Sequence, residues 1–233
     1  GSLGRTTATG DGVAISVREA LIDREMSIEG ARIAIQGFGK VGYWTAIAAE
    51  SMGMKVVAVS DVSGGVKDFG SIADLYRHIV DGGEISTYAK GERISNEELL
   101  HLDVDVLVPA ALSDAITAKS APGIRAKIVV EGANAPTTPE GDRIMHENGI
   151  TVIPDILANS GGVIVSYFEW VQDKQNYFWS ADQIKENLES MMMKAFGEVR
   201  HTVKESKVSW RDAAMMIGVG RVAEAHKLRG LYP

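Results

Sequence analysis

The chain has 233 residues, 45% hydrophobic and 24% charged, which suits one large α/β domain or one domain with a helical extension. Lysine and arginine total 24 against 31 aspartates and glutamates, a net charge of −7, and no basic run interleaved with aromatics invites nucleic acid. Cysteine is absent, which excludes disulfides, thiolate metal sites and cysteine nucleophiles and fits a reducing cytoplasm, and no stretch has the apolar length of a membrane span.

In chain order, helical periodicity comes first, over 9–24. Short β-branched runs at 31–36, 55–59, 104–108, 127–130 and 150–153 then read as buried strands. Helical patterns at 41–52, 71–80 and 139–147 lie between most of them. This alternation predicts an α/β, doubly wound, Rossmann-type sheet that is mostly parallel and covered on both faces. Three helices, roughly 161–177, 181–204 and 211–228, follow without intervening strands, with Ser180 and Ser209 placed as N-caps of the last two. They are expected to pack on the edge and back of the sheet.

Gly37-Phe38-Gly39-Lys40-Val41-Gly42 is a G-x-G-x-x-G that directly follows the first predicted strand and opens a predicted helix. In that context Gly37 permits the tight turn, Gly39 lets backbone approach a pyrophosphate, and Gly42 lets helix and strand pack closely. The helix N-terminus adds free N–H groups and partial positive charge. Asp61 stands 24 positions after Gly37, just past the second strand, where a carboxylate would accept the adenosine ribose hydroxyls and repel a 2′-phosphate. NAD is therefore favoured over NADP. The whole of residues 1–233 reads as one dinucleotide-binding domain with a helical C-terminal extension from about residue 161.

His78, His101, His146, His201 and His226 never fall at ligand spacing, so no metal site is expected. Of Met191, Met192 and Met193, consecutive on one helix, at least one should fill core. The chain has no Gly-x-Ser-x-Gly elbow, and the glycine loop lacks a Gly-Lys-Ser/Thr ending, which removes the hydrolase and ATPase readings.

Four stretches go further: 1–10 (GSLGRTTATG), 36–42 (QGFGKVG), 130–138 (VEGANAPTT) and 159–170 (NSGGVIVSYFEW), with Arg221-Val222-Ala223-Glu224-Ala225 near the end. Together they resemble the coenzyme-binding half of the glutamate dehydrogenase family, in order and over nearly the whole chain. The resemblance implies that Thr9 binds the nicotinamide carboxamide, that Asn134 and Asn159 lie beside the nicotinamide and its ribose, and that Ala110 and Ala111 line the cofactor's path. It also implies substrate contacts from Arg5, from Ser166 as a donor to the glutamate side-chain carboxylate, and from Val163 as the adjoining apolar wall. Isolated Thr, Asn and Ser residues would more simply be caps and loop hydrogen bonds, so the ordered set carries these roles.

Three positions depart from the family pattern. Thr7 stands where an acid is usual, Asp11 where a basic or aromatic residue is usual, and Lys40 where asparagine is common; Lys40 either reaches a phosphate or points to solvent. Family members also carry a preceding substrate domain with a lysine in a Pro-Met-Gly-Gly-Gly-Lys-Gly-Gly type stretch. None occurs here, so the chain is expected to hold no catalytic residue and to be inactive alone. The implied reaction is oxidative deamination of glutamate to 2-oxoglutarate and ammonia with NAD, in a full-length homohexamer of which this segment alone is a monomer or weak dimer. The alternatives are the coenzyme domain of a leucine- or phenylalanine-type amino-acid dehydrogenase, which would want an apolar residue at Ser166, and a non-catalytic dinucleotide-binding module.

Overall fold

The computed structural model describes residues 1–230; residues 231–233, included in the domain reading above, lie outside the described residues. Helix α1 (Ala8–Asp23) leads into strand β1 (Arg32–Gln36), helix α2 (Lys40–Ser51) and strand β2 (Lys55–Asp61). Strand β3 (Gly64–Lys67), helix α3 (Ile72–Val80), strand β4 (Glu92–Ile94) and helix α4 (Asn96–Leu100) follow. Strands β5 (Val106–Pro109) and β6 (Ile128–Val130), helix α5 (Pro139–Glu147) and strand β7 (Thr151–Ile153) complete the sheet. Helices α6 (Asp155–Ala158), α7 (Gly161–Gln175), α8 (Ala181–Ser206) and α9 (Trp210–Arg229) close the described chain.

The strands form a 7-stranded sheet in the order β4-β3-β2-β1-β5-β6-β7. Strands β2, β1, β5, β6 and β7 run parallel, as their β-branched runs predict. The two outer strands β3 and β4 are antiparallel and were not expected. Their sequences explain why: Gly64-Gly65-Val66-Lys67 and Glu92-Arg93-Ile94 hold few β-branched residues and no clean alternation. Asp61, expected just past the second strand, is instead its last residue, in a hairpin with Val62-Ser63 at its tip, where it pairs Gly64 across the ladder. Gly64, at φ +135°, supplies backbone that side-chain-bearing residues rarely adopt.

Alternation along the central strands separates two cores. On one face Ile33, Ile35, Val106 and Val108 pack with Val13, Val17 and Leu21 of α1, Phe196 and Val199 of α8 and Ala213 of α9. On the other, Ala34, Ala58, Leu107 and Val129 pack with Leu99, Leu100 and Met145. A third cluster joins Ile15 of α1 to Val165 and Phe168 of α7 and Ile184, Leu188 and Met192 of α8. Helices α8 and α9 thus pack on one face of the sheet, α9 reaching the edge strand β7, whereas α7, also expected there, packs on α1 and α8; Met192 is the methionine that fills core while its two neighbours stay exposed. Ser180 and Ser209 cap α8 and α9 as expected, each accepting a backbone N–H of the first turn.

Close helix packing around α1 depends on missing side chains. A Cβ on Gly10 would stand 2.5 Å from Trp44 Cβ of α2, one on Gly12 would stand 3.0 Å from Gly161, and one on Gly161 would overlap the carbonyl of Ala8. Gly161→Ala is therefore expected to wedge α7 away from α1 and destabilise by about 1–3 kcal/mol, as overpacking does. Gly197→Ala is the control: it sits inside α8 with nothing within 4 Å of its would-be Cβ. It should be neutral or gain roughly 0.5–1 kcal/mol from helix propensity. Urea unfolding of both variants measures the contrast, and equal effects would contradict the packing argument.

Candidate functional site

Strand β1 has β2 on one side and β5 on the other, so the connections leaving their carboxyl ends diverge and open a crevice. Gly37 follows β1, Asp61 ends β2, Ala110 follows β5, Gly132 follows β6, and Asn159 follows the turn of α6 beyond β7. Two adjoining clefts result, of about 510 and 860 Å³, with Ala110, Ala111, Leu112 and Ser113 as their common wall. The first is bounded by Gly37, Phe38, Gly39, Asp61 and Asn96. The second is bounded by Arg5, Thr9, Val41, Asn134, Asn159, Val163 and Ser166.

The three motif glycines are glycine for different reasons. Gly37 has φ +95°, and a Cβ there would stand 2.7 Å from the Ala111 nitrogen. At Gly42 a Cβ would overlap the carbonyl oxygen of Gly37, so α2 can begin against the end of β1 only because that side chain is absent. Gly39 differs: its φ is an ordinary −78°, and nothing lies within 4 Å of its would-be Cβ. No protein atom accounts for glycine at position 39. What the missing side chain leaves open is space in the first cleft. Gly39 also caps α2 without any side-chain hydrogen bond, and the first intrahelical bond is donated by Tyr43, leaving first-turn N–H groups for an anion. Buried Gln36 lines the same cleft, and its Oε1 has no partner.

Asp61 Oδ1 accepts the Ser63 N–H at 2.7 Å and the Ser63 hydroxyl at 2.6 Å, which fixes the carboxylate at the cleft edge. Asn96 secures the strand end from the other side, its Nδ2 donating to Asp61 O at 2.9 Å. Exposed Val62 and Leu112 flank this end of the cleft. Lys40 is exposed on the first turn of α2 and borders neither cleft, and buried Gly42 acts through packing alone.

At the other end, Asn159 Nδ2 donates to Asn134 Oδ1 at 2.8 Å, tying the two predicted asparagines together. Thr9 reaches the same cleft from α1, with its Oγ1 2.5 Å from where a Gly162 Cβ would stand. Behind Asn134 lies an ionic cluster that sequence reading missed. Glu131, its side chain fully buried, receives a two-pronged bond from Arg211, with Nη2 to Oε1 at 2.7 Å and Nη1 to Oε2 at 3.1 Å. Burial alone would lower the Arg211 pKa, but hydrogen bonds with Glu131 and Asp142 hold it above its usual value, so the guanidinium keeps its charge. An acid immediately after an apolar strand was a legible sign that a cation must lie nearby. Nothing local to the sequence identified Arg211, 80 positions later, as that cation.

Arg5 and Ser166 meet at the outer end of the second cleft with Val163, which is exposed. Ser166 Oγ donates to the Gly162 carbonyl at 3.0 Å, and among the described residues the Arg5 guanidinium makes no hydrogen bond or ion pair. The two nearby departures prove to be partners: Thr7 Oγ1 donates to Asp11 Oδ2 at 2.6 Å across one helical turn. Burial pushes the Asp11 carboxyl above its ordinary pKa, while the Thr7 hydrogen bond and Lys185 pull it back.

Residues 1–230 match the family model described as glutamate/leucine/phenylalanine/valine dehydrogenase. The chain is 51% identical to a glutamate dehydrogenase of Thermotoga maritima, covering 100% of this chain and 57% of that protein. It is 45% identical to a cryptic catabolic NAD-specific glutamate dehydrogenase of Bacillus subtilis, covering 99% of this chain and 54% of that protein. Among solved structures, the hetero-hexameric glutamate dehydrogenase of Thermus thermophilus superposes with a TM-score of 0.92 at 33% identity, covering 100% of this chain and 56% of that one. The chain thus spans a little over half the length of these relatives. From its fold, its cleft and these matches, the chain belongs to the glutamate/leucine/phenylalanine/valine dehydrogenase family.

Proposed function

We propose that the chain is the coenzyme-binding part of an NAD-linked glutamate dehydrogenase. The observation that carries this reading is Gly39, a glycine that no protein atom requires, facing an open cleft at a free helix N-terminus. In this reading the pyrophosphate lies over Gly37, Gly39 and the first turn of α2, and the Asp61 carboxylate receives the adenosine ribose hydroxyls and repels a 2′-phosphate. NADP is therefore the weaker ligand. Thr9, Asn134 and Asn159 hold the nicotinamide end, offering amide and hydroxyl groups that fix which ring face looks toward substrate. NAD bound there would supply the acceptor for a hydride from glutamate Cα. Arg5 and Ser166 then receive the side-chain carboxylate beside Val163, which favours glutamate over the apolar substrates of leucine- and phenylalanine-type enzymes.

Residues 1–233 act here as one dinucleotide-binding domain with a helical extension from about residue 161. Proton transfer and the lysine chemistry belong to a preceding substrate domain, so this segment alone is inactive. The reading places the protein in the cytoplasm, consistent with a described chain that has no helix long and apolar enough to cross a membrane. It also places the full-length protein in a homohexamer. Residues 1–233 by themselves, with a charge of −7, should run as a monomer or weak dimer at micromolar concentration by light scattering; a stable hexamer would overturn this.

Calorimetry tests the cofactor assignment. The segment should bind NAD modestly and NADP more weakly, Asp61→Ser should narrow the gap, and tighter NADP than NAD binding in the wild type would remove the role of Asp61. Gly39→Ala should change stability by less than about 1 kcal/mol, since Cβ space is open and only an N-cap preference is lost. The same variant should cost NAD at least about tenfold in affinity, or roughly 1.4 kcal/mol. If binding survives Gly39→Ala unchanged, the pyrophosphate does not lie there.

Substrate choice is tested in the full-length protein by Ser166→Val, assayed with glutamate and with norvaline, which lacks the side-chain carboxylate. Glutamate should lose about 1.5–3 kcal/mol of binding, one hydrogen bond to a charged group, while norvaline and NAD are nearly unaffected. Equal losses for both substrates would make Ser166 structural.

A further inference from the structure

The buried acid behind the second cleft forms part of a chain of contacts that runs from helix α9 to Asn134. Arg211, near the start of α9, grips both oxygens of Glu131 and also donates through Nε to Asp142 at 3.1 Å. Glu131 Oε2 accepts the backbone N–H of Asp155 at 2.9 Å. Asp155 Oδ2 in turn accepts the backbone N–H of Ala135 at 2.7 Å. Ala135 has φ +45°, a left-handed conformation that costs a residue with a side chain and persists only where its surroundings impose it. The residue before it is Asn134, whose side chain meets Asn159 in the cleft.

We propose that Arg211 is a positioning residue for the nicotinamide end of the cofactor, acting through Glu131 and Asp155 on the turn that presents Asn134. The inference rests on reading the cleft as an NAD site. A buried ion pair is by itself a poor stabiliser, because desolvation offsets much of its attraction. What this one supplies is geometry. The planar fork of arginine fixes both Glu131 oxygens, leaving Oε2 aimed at Asp155, whose carboxylate then holds Ala135 in its unfavourable conformation. Lysine at 211 would keep the charge and lose the fork. Asp155 also lies 3.8 Å from Arg211 Nη1, so the two ends of the relay share one electrostatic environment.

Two variants cut the relay at different points: Arg211→Lys loosens the grip on Glu131, and Asp155→Ala releases Ala135 while leaving the fork in place. Each is compared with wild type for calorimetric binding of NAD and of ADP, which keeps the adenosine and both phosphates but lacks the second ribose and the nicotinamide. Wild type should bind NAD more tightly than ADP. Both variants should weaken NAD on the order of tenfold, the equivalent of one lost hydrogen bond, and leave ADP within about twofold. Parallel loss of both ligands, or no loss of either, overturns the proposal and makes the cluster purely structural. If Arg211→Lys fails to fold, Asp155→Ala alone decides between these outcomes. Wild type that binds neither ligand defeats the dinucleotide reading itself, a result distinct from selective failure of the relay.

Discussion

The cleft exists because helix α2 comes unusually close to the end of strand β1. Gly42 has no room for a Cβ against the Gly37 carbonyl, and Gly37 has none against the Ala110–Ala111 backbone that follows β5. Two side-chain absences therefore bring three backbone segments together at the point where the sheet's connections diverge. The approach aligns the N-terminus of α2 with the crevice floor, so its unpaired N–H groups face the opening instead of bulk solvent. A methyl group at position 42 would tilt α2 and move that positive end away. Gly39 completes the arrangement without any packing role, so within one six-residue motif two glycines answer to the fold and the third leaves cleft space open.

The opposite end of the cleft is assembled from segments distant in sequence. Helix α1 lies against α2, α7 and α8, and its glycines allow Thr9 to reach the cleft while Val13 and Val17 serve the main core. One short helix thus carries both structure and site, and its two faces are bound by different constraints. The Thr7–Asp11 pair, a hydroxyl donating to a carboxylate across one turn, ties the start of this helix together at the positions that depart from the family pattern.

Much of this was legible in sequence because it is local. The parallel strands announce themselves as continuous apolar runs, and the glycine motif is specific once a strand precedes it and a helix follows. Ser180 and Ser209 are caps for reasons confined to one helical turn. The outer strands β3 and β4 were not legible, because β3 is held by pairing with β2 and β4 by pairing with β3, and their sequences carry almost no strand pattern. Nor was Arg211. The need for a cation is written at Glu131, but which of 24 lysines and arginines answers it is decided by the packing of α9 against the far edge of the sheet. Lys40 shows the converse limit: its motif position left open a phosphate contact or a solvent-facing side chain, and the residue is exposed and borders neither cleft.

The ionisable groups around the clefts explain the division of labour proposed for this chain. Among the described residues lining them, these groups are Asp61 and Asp114 at the first and Arg5 at the second. Asp61 lines the first cleft and not the second, at the end to which the proposed reading assigns the adenosine ribose, and its lone pairs are partly occupied by Ser63. Arginine does not give up its proton in proteins, so Arg5 can hold a carboxylate but cannot act as a general base. Thr9, Asn134, Asn159 and Ser166 are neutral hydrogen-bonding groups suited to orientation. A surface of this kind can fix a cofactor and one end of a substrate, and positioning of that sort lowers a barrier only when a proton acceptor stands on the other side. The proposed deamination needs such an acceptor, and the described residues that line the second cleft supply geometry and not a base.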